Sequence, residues 1–255
     1  MRAYRQFASV YDRLMEDMPY AEWLRFTRQC WERTGIPETV VDLGCGTGNI
    51  AIPLAKSGFR VFGIDLSADM LAVARSKWDA LPQRYAGEGS IRWLQQDMRD
   101  WELPEQADTV LSFCDCINYL LEEEDVEAAF RATRRGLKNG GLFLFDVHAP
   151  RQLERYAEEQ PFTFNERDIA YIWTSEYTPD RREIEHHLTI FARDRDQDDG
   201  RYIRFEETHV QRAYEPEWIR GALMRAGFSH VEVYADFKLE RPDDNAERLF
   251  FAATV

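Results

Sequence analysis

Short apolar runs alternate with segments of helical periodicity along the first 150 residues of the chain. This alternation is typical of βαβ units, in which helices cover a parallel sheet. The runs are almost continuously apolar, which favours strands that are buried on both faces. The pattern predicts five strands, at Thr39–Leu43, Arg60–Asp65, Ile91–Gln95, Thr109–Phe113 and Leu142–Asp146.

Helices are predicted before and between these strands. Gly35 and Pro37 end the second of two leading helices, because glycine and proline terminate helices. Ser67 is a suitable N-cap for a later helix, since its hydroxyl can accept a hydrogen bond from a free backbone N–H. The acidic run Glu122–Asp125 precedes another helix, where negative charge is favourable. The predicted helices cover residues 2–16, 20–34, 49–57, 68–78 and 126–137, and the last of them ends near the glycine pair Gly140-Gly141.

The pattern changes near residue 150. Residues 162–212 are rich in β-branched and aromatic residues at extended spacing, and they predict three antiparallel strands. Thr178-Pro179-Asp180 has the composition of a turn. Asp199-Gly200 is a signal for a hairpin.

The α/β rhythm then returns, with a helix predicted over 217–226 and a strand pair at Ser229–Phe237 and Arg248–Val255. The extended segment is therefore an insertion and not a terminal addition. The predicted fold class is α/β, with a Rossmann-like, mostly parallel sheet of seven strands. Its domains are residues 1–150 and 213–255 together, and an inserted antiparallel β lid at 151–212.

Composition limits the function classes. The chain has 255 residues and a formal net charge of −14, and its acidic balance argues against a general nucleic-acid binder, because phosphate binding needs clustered lysine and arginine. Its 44% hydrophobic content is too high for a disordered chain. No apolar stretch approaches the roughly 20 residues that cross a bilayer, and the first residues lack the layout of a secretory signal. A cytoplasmic protein without a membrane partner is expected.

The cysteines do not predict a metal site. Cys30, Cys45, Cys114 and Cys116 include no CxxC pair, so the spacing of a zinc site is missing. Small buried thiols in a reducing cytosol are the simpler interpretation.

A glycine-rich turn follows the first predicted strand. Residues 40–49 have the sequence VVDLGCGTGN, which places Gly44, Gly46 and Gly48 between a strand and a helix. Glycines there allow a tight turn and a close approach of the backbone to a ligand, and the helix N-terminus adds free N–H groups. Asp65 ends the next strand, where an acid hydrogen-bonds a pair of ribose hydroxyls.

Two ligands containing a ribose fit this geometry, a dinucleotide or S-adenosylmethionine. The dinucleotide fingerprint is GxGxxG, but Asn49 stands where its third glycine would be. Asp42, at the end of the first strand, would repel a pyrophosphate and would suit the cationic amino-acid end of S-adenosylmethionine.

With these acids in place, VVDLGCGTGN resembles the first motif of class I S-adenosylmethionine-dependent methyltransferases. The resemblance covers residues 36–146 well and 213–255 more loosely. It implies S-adenosylmethionine as the cofactor and a sheet whose last strand is antiparallel. In that family the acid matching Asp65 binds both ribose hydroxyls, and the acid matching Asp97, after the third strand, contacts the adenine amino group.

The same resemblance assigns further positions to the cofactor. Met98 would flank the adenine ring, Leu66 and Met70 would pack on it, and Cys114 would lie next to the methyl group and the acceptor. The expected cofactor-binding residues are Tyr11, Asp42, Gly44, Cys45, Gly46, Gly48, Asp65, Leu66, Met70, Asp97, Met98 and Cys114.

The leading segment FASVYDRLM…PYAEW resembles small-molecule-type members of the family, whose first helices cover the cofactor. There Tyr11 would reach the cofactor, and Trp23 would belong to the same cover. The acceptor is therefore expected to be a small molecule, with a protein acceptor left open and nucleic acid disfavoured by the acidic charge. The insertion 151–212 is expected to select the acceptor, and a homodimer or protein-docking surface is the alternative.

Methyl transfer depends on alignment more than on a fixed catalytic side chain, because the sulfonium already activates the methyl group. A base is needed only when the acceptor must lose a proton. His148 directly follows the fifth predicted strand and Asp115 the fourth, at the carboxyl edge where ligands bind, so these two are the candidate catalytic residues. His186 and His187 are adjacent on a strand, so at most one of them faces the site.

The sequence thus predicts transfer of a methyl group from S-adenosylmethionine to an unidentified acceptor. One alternative is an NAD(P)-dependent oxidoreductase. Tyr234 to Lys238 match the YxxxK motif of short-chain dehydrogenases. In those enzymes the motif lies on a helix, whereas here it lies on a predicted strand, which counts against this alternative. The other alternative is a non-catalytic S-adenosylmethionine-binding assembly or regulatory factor, which would carry the same cofactor positions.

Overall fold

The structure is a computed structural model that describes residues 2–82, 89–194, 200–243 and 245–255. In chain order its helices are α1 (Arg2–Leu14), α2 (Tyr20–Thr34), α3 (Ala51–Lys56), α4 (Ala68–Asp79), α5 (Glu123–Gly136), α6 (Pro150–Glu159) and α7 (Pro216–Ala226). Its strands are β1 (Thr39–Leu43), β2 (Arg60–Asp65), β3 (Ser90–Gln95), β4 (Ala107–Ser112), β5 (Leu137–His148), β6 (Phe162–Asn165), β7 (Ile169–Thr178), β8 (Glu183–Arg193), β9 (Tyr202–Arg212), β10 (His230–Ala235) and β11 (Arg248–Thr254).

The first sheet has the strand order β10-β11-β5-β4-β1-β2-β3. β1 lies at its centre, with Val41 paired in parallel with Phe62 on one side and with Val110 on the other. β11 runs antiparallel to both of its neighbours. The Rossmann-like sheet with an antiparallel last strand is therefore confirmed. The direction of strand addition reverses beside β1, and ligands bind beyond the carboxyl ends of the strands at such a switch point.

The fifth strand is longer than predicted. β5 begins at Leu137, which pairs with Ala107 before the register shifts, and regular pairing resumes between Leu142 and Thr109. Gly140 lies in this irregular part with a φ of +76°. The glycine pair at 140–141 indicated a break in the chain, but here it forms a bulge inside a strand.

The inserted segment also departs from the prediction. It begins with α6, and its sheet has four antiparallel strands in the order β6-β7-β8-β9, not three. Residues 166–168, between β6 and β7, contain no glycine or proline that would mark a turn. The predicted hairpin pairs as far as Arg193 and Tyr202, whereas residue 199 of its Asp199-Gly200 turn lies outside the described residues.

Helices pack on both faces of the first sheet, and each face has its own buried cluster. Phe26 and Trp31 of α2 pack with Phe250 on one face, while Phe130 of α5 packs with Phe145 on the other. Full burial of such side chains stabilises the fold by about 1.5–3 kcal/mol each. The second sheet packs on α1 through a smaller cluster of buried residues, namely Phe7, Ile169, Ile190, Ala192 and Phe205.

Candidate functional site

A cavity of about 1130 Å³ lies where the first sheet, the second sheet and α1 meet. It opens on the carboxyl ends of β1, β2, β4 and β5, as the strand order predicts. Gly48 is the one predicted site residue that does not line it. The predicted residues that line it are Tyr11, Asp42, Gly44, Cys45, Gly46, Asp65, Leu66, Met70, Asp97, Met98, Cys114, Asp115 and His148.

The glycine turn lies close against its surroundings. Gly44 has a φ of +80°, and a Cβ there would lie 2.6 Å from Sγ of Cys116. Gly48 has a φ of +82°, and a Cβ there would lie 2.8 Å from the Trp93 ring, away from the cavity. Both positions therefore require glycine, Gly44 for the cavity wall and Gly48 for the packing of the turn against β3.

Asp65 fastens the turn to the end of β2. Its Oδ2 accepts a hydrogen bond from the N–H of Gly46 and its Oδ1 one from the N–H of Ser67, both at 2.8 Å. Burial raises the pKa of the carboxyl. Each carboxylate oxygen keeps one further lone-pair site after these bonds, so Asp65 can still accept from a vicinal pair of hydroxyls.

Asp42 is a buried acid whose hydrogen bonding is incomplete. It is 2% exposed, and its Oδ2 has no hydrogen-bond partner among the described residues. Burial raises the pKa of this carboxyl to about 7. A cationic group in the cavity would supply the missing donor and charge. The site therefore fits the ammonium end of S-adenosylmethionine.

Two apolar side chains that could face a flat apolar ring line the cavity, one after β2 and one after β3. Leu66, which follows β2, is 65% exposed, and Met98, near the end of β3, is half-buried. Asp97 follows β3 and is held by Arg99, whose guanidinium donates to it at 2.6 and 3.0 Å and lowers its pKa. Arg99 also donates to Asp125 at 3.1 Å. The sequence interpretation missed this arginine, although it lies two residues after Asp97.

The chain leaves β4 through two successive left-handed residues, Cys114 (φ 61°) and Asp115 (φ 54°). Such a conformation is uncommon for residues other than glycine and needs support from its surroundings. Asp146 of β5 supplies it, since its two oxygens accept from the N–H groups of Cys114 and Asp115 at 2.9 and 3.2 Å. The turn points the Asp115 side chain into the cavity.

Asp115 connects three elements at the cavity. It accepts from Arg248 at 3.0 Å and from Gln211 at 2.6 Å, and its Oδ1 lies 3.4 Å from Nε2 of His148. Burial opposes its ionisation, but His148 and Arg248 lower its pKa to about 2. Arg248 also donates to the fully buried Asp146. Burial lowers the pKa of His148 to about 4, so its ring is neutral at neutral pH.

The second sheet forms the opposite wall of the cavity. His186 is buried there, and its Nδ1 accepts a hydrogen bond from the Trp173 indole at 3.0 Å. The indole is only a donor, so the proton of the neutral imidazole lies on Nε2. His187 is half-buried on the other face of β8 and does not line the cavity, which confirms that at most one of the pair faces the site. Tyr156, His209 and Gln211 complete this wall.

A polar network joins α1 to the glycine turn. Oδ1 of Asp12 accepts from the Thr47 hydroxyl at 2.6 Å and from the Asn49 amide at 3.1 Å, and Oδ2 accepts from Lys77 at 2.7 Å. Because Tyr11 lines the cavity next to Asp12, this network holds the cover in place. Sequence inspection gave no sign of it, since its members are far apart along the chain.

Trp23 does not belong to the cover. It is buried at 1% exposure, and its indole donates to Asp146 at 2.9 Å. Its ring also lies under the Arg248 guanidinium, 5.4 Å from the ring centroid. Trp23 therefore packs against Asp146 and Arg248 and does not line the cavity. No group of histidine, cysteine or acidic side chains within the described ranges could hold a metal ion, and no described helix has the length and apolar character of a membrane span.

Known proteins show the family of this chain. Residues 40–141 match a family described as a methyltransferase domain. "Putative methyltransferase GWCH70_2453" of Geobacillus sp. (strain WCH70) is 40% identical over 98% of both chains. "Putative methyltransferase YqeM" of Bacillus subtilis (strain 168) is 38% identical over 98% of this chain and 96% of its own length.

A solved structure agrees with these relatives. An S-adenosylmethionine-dependent methyltransferase from Clostridium acetobutylicum ATCC 824 superposes with a TM-score of 0.85 at 25% identity, over 99% of this chain and 98% of its own. The nicotinamide alternative is therefore wrong, and S-adenosylmethionine is the cofactor. The chain belongs to the class I S-adenosylmethionine-dependent methyltransferases.

Proposed function

We propose that the enzyme methylates a small-molecule acceptor bound between the carboxyl edge of the first sheet and the inner face of the second. The observation that carries this proposal is that one cavity is lined both by Asp42 and Asp65 of the first sheet and by Trp173 and His186 of the second. A cofactor held by the two acids would face an acceptor held by the aromatic wall. The insertion 151–212 then serves as the acceptor lid.

S-adenosylmethionine supplies an activated methyl group on a positively charged sulfur. Asp65 binds the ribose hydroxyls through the lone pairs that Gly46 and Ser67 leave free. Asp42 pairs with the ammonium group, which completes its hydrogen bonding. Because Gly44 has no side chain, the turn lies directly against Cys116, and its backbone faces the amino-acid end of the cofactor.

The adenine ring packs against apolar side chains at the ends of β2 and β3. Leu66 and Met98 cover its faces, with Met70 at the edge. Asp97 accepts from the adenine amino group through a lone pair that Arg99 does not use. Tyr11 and Cys114 lie toward the methyl end, where α1 excludes water from the reacting atoms.

His148 and Asp115 prepare the acceptor atom for transfer. Asp115 is ionised and lies next to Nε2 of His148, so the Nε2 proton points at the carboxylate and the Nδ1 lone pair stays free. That lone pair accepts a hydrogen bond from the acceptor and orients its nucleophilic atom.

Turnover with fractionated cell extract tests this function. S-adenosylhomocysteine should form when the purified enzyme and S-adenosylmethionine are mixed with the low-mass filtrate of an ultrafiltered extract. Formation only with the retained protein or nucleic-acid fraction would contradict a small-molecule acceptor. Calorimetric titration with S-adenosylhomocysteine separately establishes that the enzyme used is competent to bind the cofactor.

The roles of His148 and Asp115 have a matched control. His148→Ala should lower kcat by a factor on the order of 10² with unchanged affinity for S-adenosylhomocysteine. His187→Ala removes a half-buried histidine from the other face of the second sheet, outside the cavity, and should change neither quantity. Equal kcat values for the two variants would remove His148 from the site.

A further inference from the structure

The charges around the cavity limit the chemistry of the acceptor. The charged side chains that line it, within the described residues, are the two arginines Arg99 and Arg248 and six aspartates: Asp42, Asp65, Asp69, Asp97, Asp115 and Asp125. Acids therefore outnumber bases by six to two. An anionic acceptor would have to enter a cavity of its own sign, which costs free energy unless a cation is free to meet it.

Neither arginine is free for that purpose. Arg99 donates to Asp97 at 2.6 Å and to Asp125 at 3.1 Å. Arg248 donates to Asp115 at 3.0 Å and also to Asp146. Each guanidinium thus already serves two carboxylates. A carboxylate, phosphate or phenolate acceptor would therefore meet guanidinium groups whose positive charge is already balanced by carboxylates.

The histidines of the cavity do not replace a cation. Burial lowers the pKa of His148 and of His186 to about 4 and also lowers that of His209. All three rings are therefore neutral at neutral pH, and they are weak bases. A hydroxyl acceptor has to give up its proton to a base during transfer, because an oxygen that keeps its proton and gains a methyl group is a strongly acidic oxonium ion. Such a reaction is poorly served by bases of this strength.

We infer, on the basis of the proposed small-molecule transfer, that the acceptor atom is the nitrogen of an aliphatic amine. The acidic, aromatic wall formed by Asp115, Tyr156 and Trp173 then faces an atom that becomes positively charged. Aromatic faces and carboxylates both stabilise a cation. The amine enters as the minor, uncharged form, and no stronger base is needed during the transfer itself.

The electron balance of the step is that of a simple displacement. The nitrogen lone pair forms a bond to the methyl carbon, while the carbon–sulfur bond breaks and its electron pair stays on sulfur. The positive charge moves from sulfur to nitrogen, and the sulfur becomes a neutral thioether. The product leaves the site as the methylated ammonium and exchanges its proton with bulk water.

Selective blocking of amines tests this inference. The low-mass filtrate is treated with the N-hydroxysuccinimide ester of acetic acid, which acylates amines, and then with hydroxylamine, which reverses acylation of phenols. A control portion receives reagent that was hydrolysed beforehand. Each portion is incubated with the enzyme and S-adenosylmethionine labelled with ¹³C in the methyl group.

If the acceptor is an amine, the control portion should be methylated. The blocked portion should show about one-tenth of that methyl transfer or less, a tenfold fall in rate. NMR of the labelled product should show the methyl carbon bonded to nitrogen. Undiminished transfer after blocking, or a methyl carbon bonded to oxygen or carbon, would overturn the amine assignment while leaving the methyltransferase function in place. Absence of transfer to the control portion, with cofactor binding intact, would overturn the proposed small-molecule function and the amine assignment together.

Discussion

Replacement of Asp65 by alanine should remove most of the cofactor affinity and leave the fold intact. Asp65 ends β2 and lines the cavity. Its carboxylate accepts from the N–H groups of Gly46 and Ser67, both at 2.8 Å. Because each carboxylate oxygen offers two lone-pair sites, one site on each oxygen is left for the two ribose hydroxyls.

The expected loss follows from those two remaining sites. A hydrogen bond to a charged group contributes about 1.5–3 kcal/mol, so losing two weakens binding by about 3–6 kcal/mol. Since 1.4 kcal/mol is a tenfold change, the dissociation constant should rise by about 10²–10⁴. The free energy of unfolding of the ligand-free protein should fall by only about 1–3 kcal/mol, because two backbone N–H groups lose a partner beside a cavity.

Calorimetric titration with S-adenosylhomocysteine measures the affinity without turnover. Asp108→Ala is the matched control, because Asp108 also accepts from two backbone N–H groups, those of Glu38 and Thr39 at 3.0 and 2.9 Å, but at the opposite edge of the sheet. The control should lose stability and keep its affinity. Asp65→Ala binding as tightly as the unmodified enzyme, or equal weakening in both variants, would refute the ribose assignment.

Three further substitutions test other parts of the site. From about pH 4 to 7 the ligand-free Asp42→Asn protein should gain stability relative to the unmodified protein, by about 1.4 kcal/mol per pH unit. Burial raises the pKa of Asp42 to about 7, so over this range the carboxyl is ionised in the unfolded chain and still protonated in the folded one. Urea unfolding across this range measures the difference, and parallel curves would contradict the assignment. Lys77→Met removes the 2.7 Å ion pair with Asp12 and should speed dissociation of S-adenosylhomocysteine by roughly two- to fivefold, which is the contribution of a half-exposed ion pair. Stopped-flow mixing measures this rate, with Arg28→Met, elsewhere on the surface, as the control. Equal rates in the two variants would contradict a role of Lys77 in holding α1 over the cavity. Glu207→Gln should raise the free energy of unfolding at pH 8 by about 1–3 kcal/mol, and by less at pH 5, because Oε1 of this buried acid has no hydrogen-bond partner among the described residues and burial raises its pKa.

The first sheet follows from the sequence because its signals are local. A parallel strand covered on both faces must be apolar along its length, and Thr39–Leu43 and Arg60–Asp65 have the bounds that their apolar runs indicate. The predicted strand boundaries were wrong where the residues of a segment indicate one structure and its pairing with neighbouring strands produces another. Gly140 indicated a break inside β5, and no turn residue marked the step from β6 to β7. Pairing with neighbouring strands decides both cases, and a single segment does not contain that information.

The two acids proposed to hold the cofactor were predictable as cavity residues for the same reason. Asp42 and Asp65 stand at strand ends, and the carboxyl ends of parallel strands meet at one edge of the sheet. Arg248 was not predicted, although the antiparallel direction of β11 places its first residue at that same edge. Its partner Asp146 is also the last acid of an apolar run. The predicted direction of the last strand already placed Arg248 at this edge. That Arg248 pairs with Asp146 becomes visible only in the folded structure.

The acceptor side depends on contacts that no local motif records. Asp115 lies on the turn after β4, yet its partners are Gln211 of the second sheet, Arg248 of β11 and His148 of β5. Asn118 adds a second connection of the same kind, since it accepts from the His148 N–H at 3.0 Å and donates to the Arg212 carbonyl at 2.9 Å. The proposed acceptor pocket is thus assembled from segments that are distant in the chain. A substitution in the insertion can alter Asp115 without touching the glycine turn, so acceptor choice can change while cofactor binding is retained. This separation explains why the sequence identifies the cofactor directly, while the acceptor has to be inferred from the charges and hydrogen bonds of the assembled cavity.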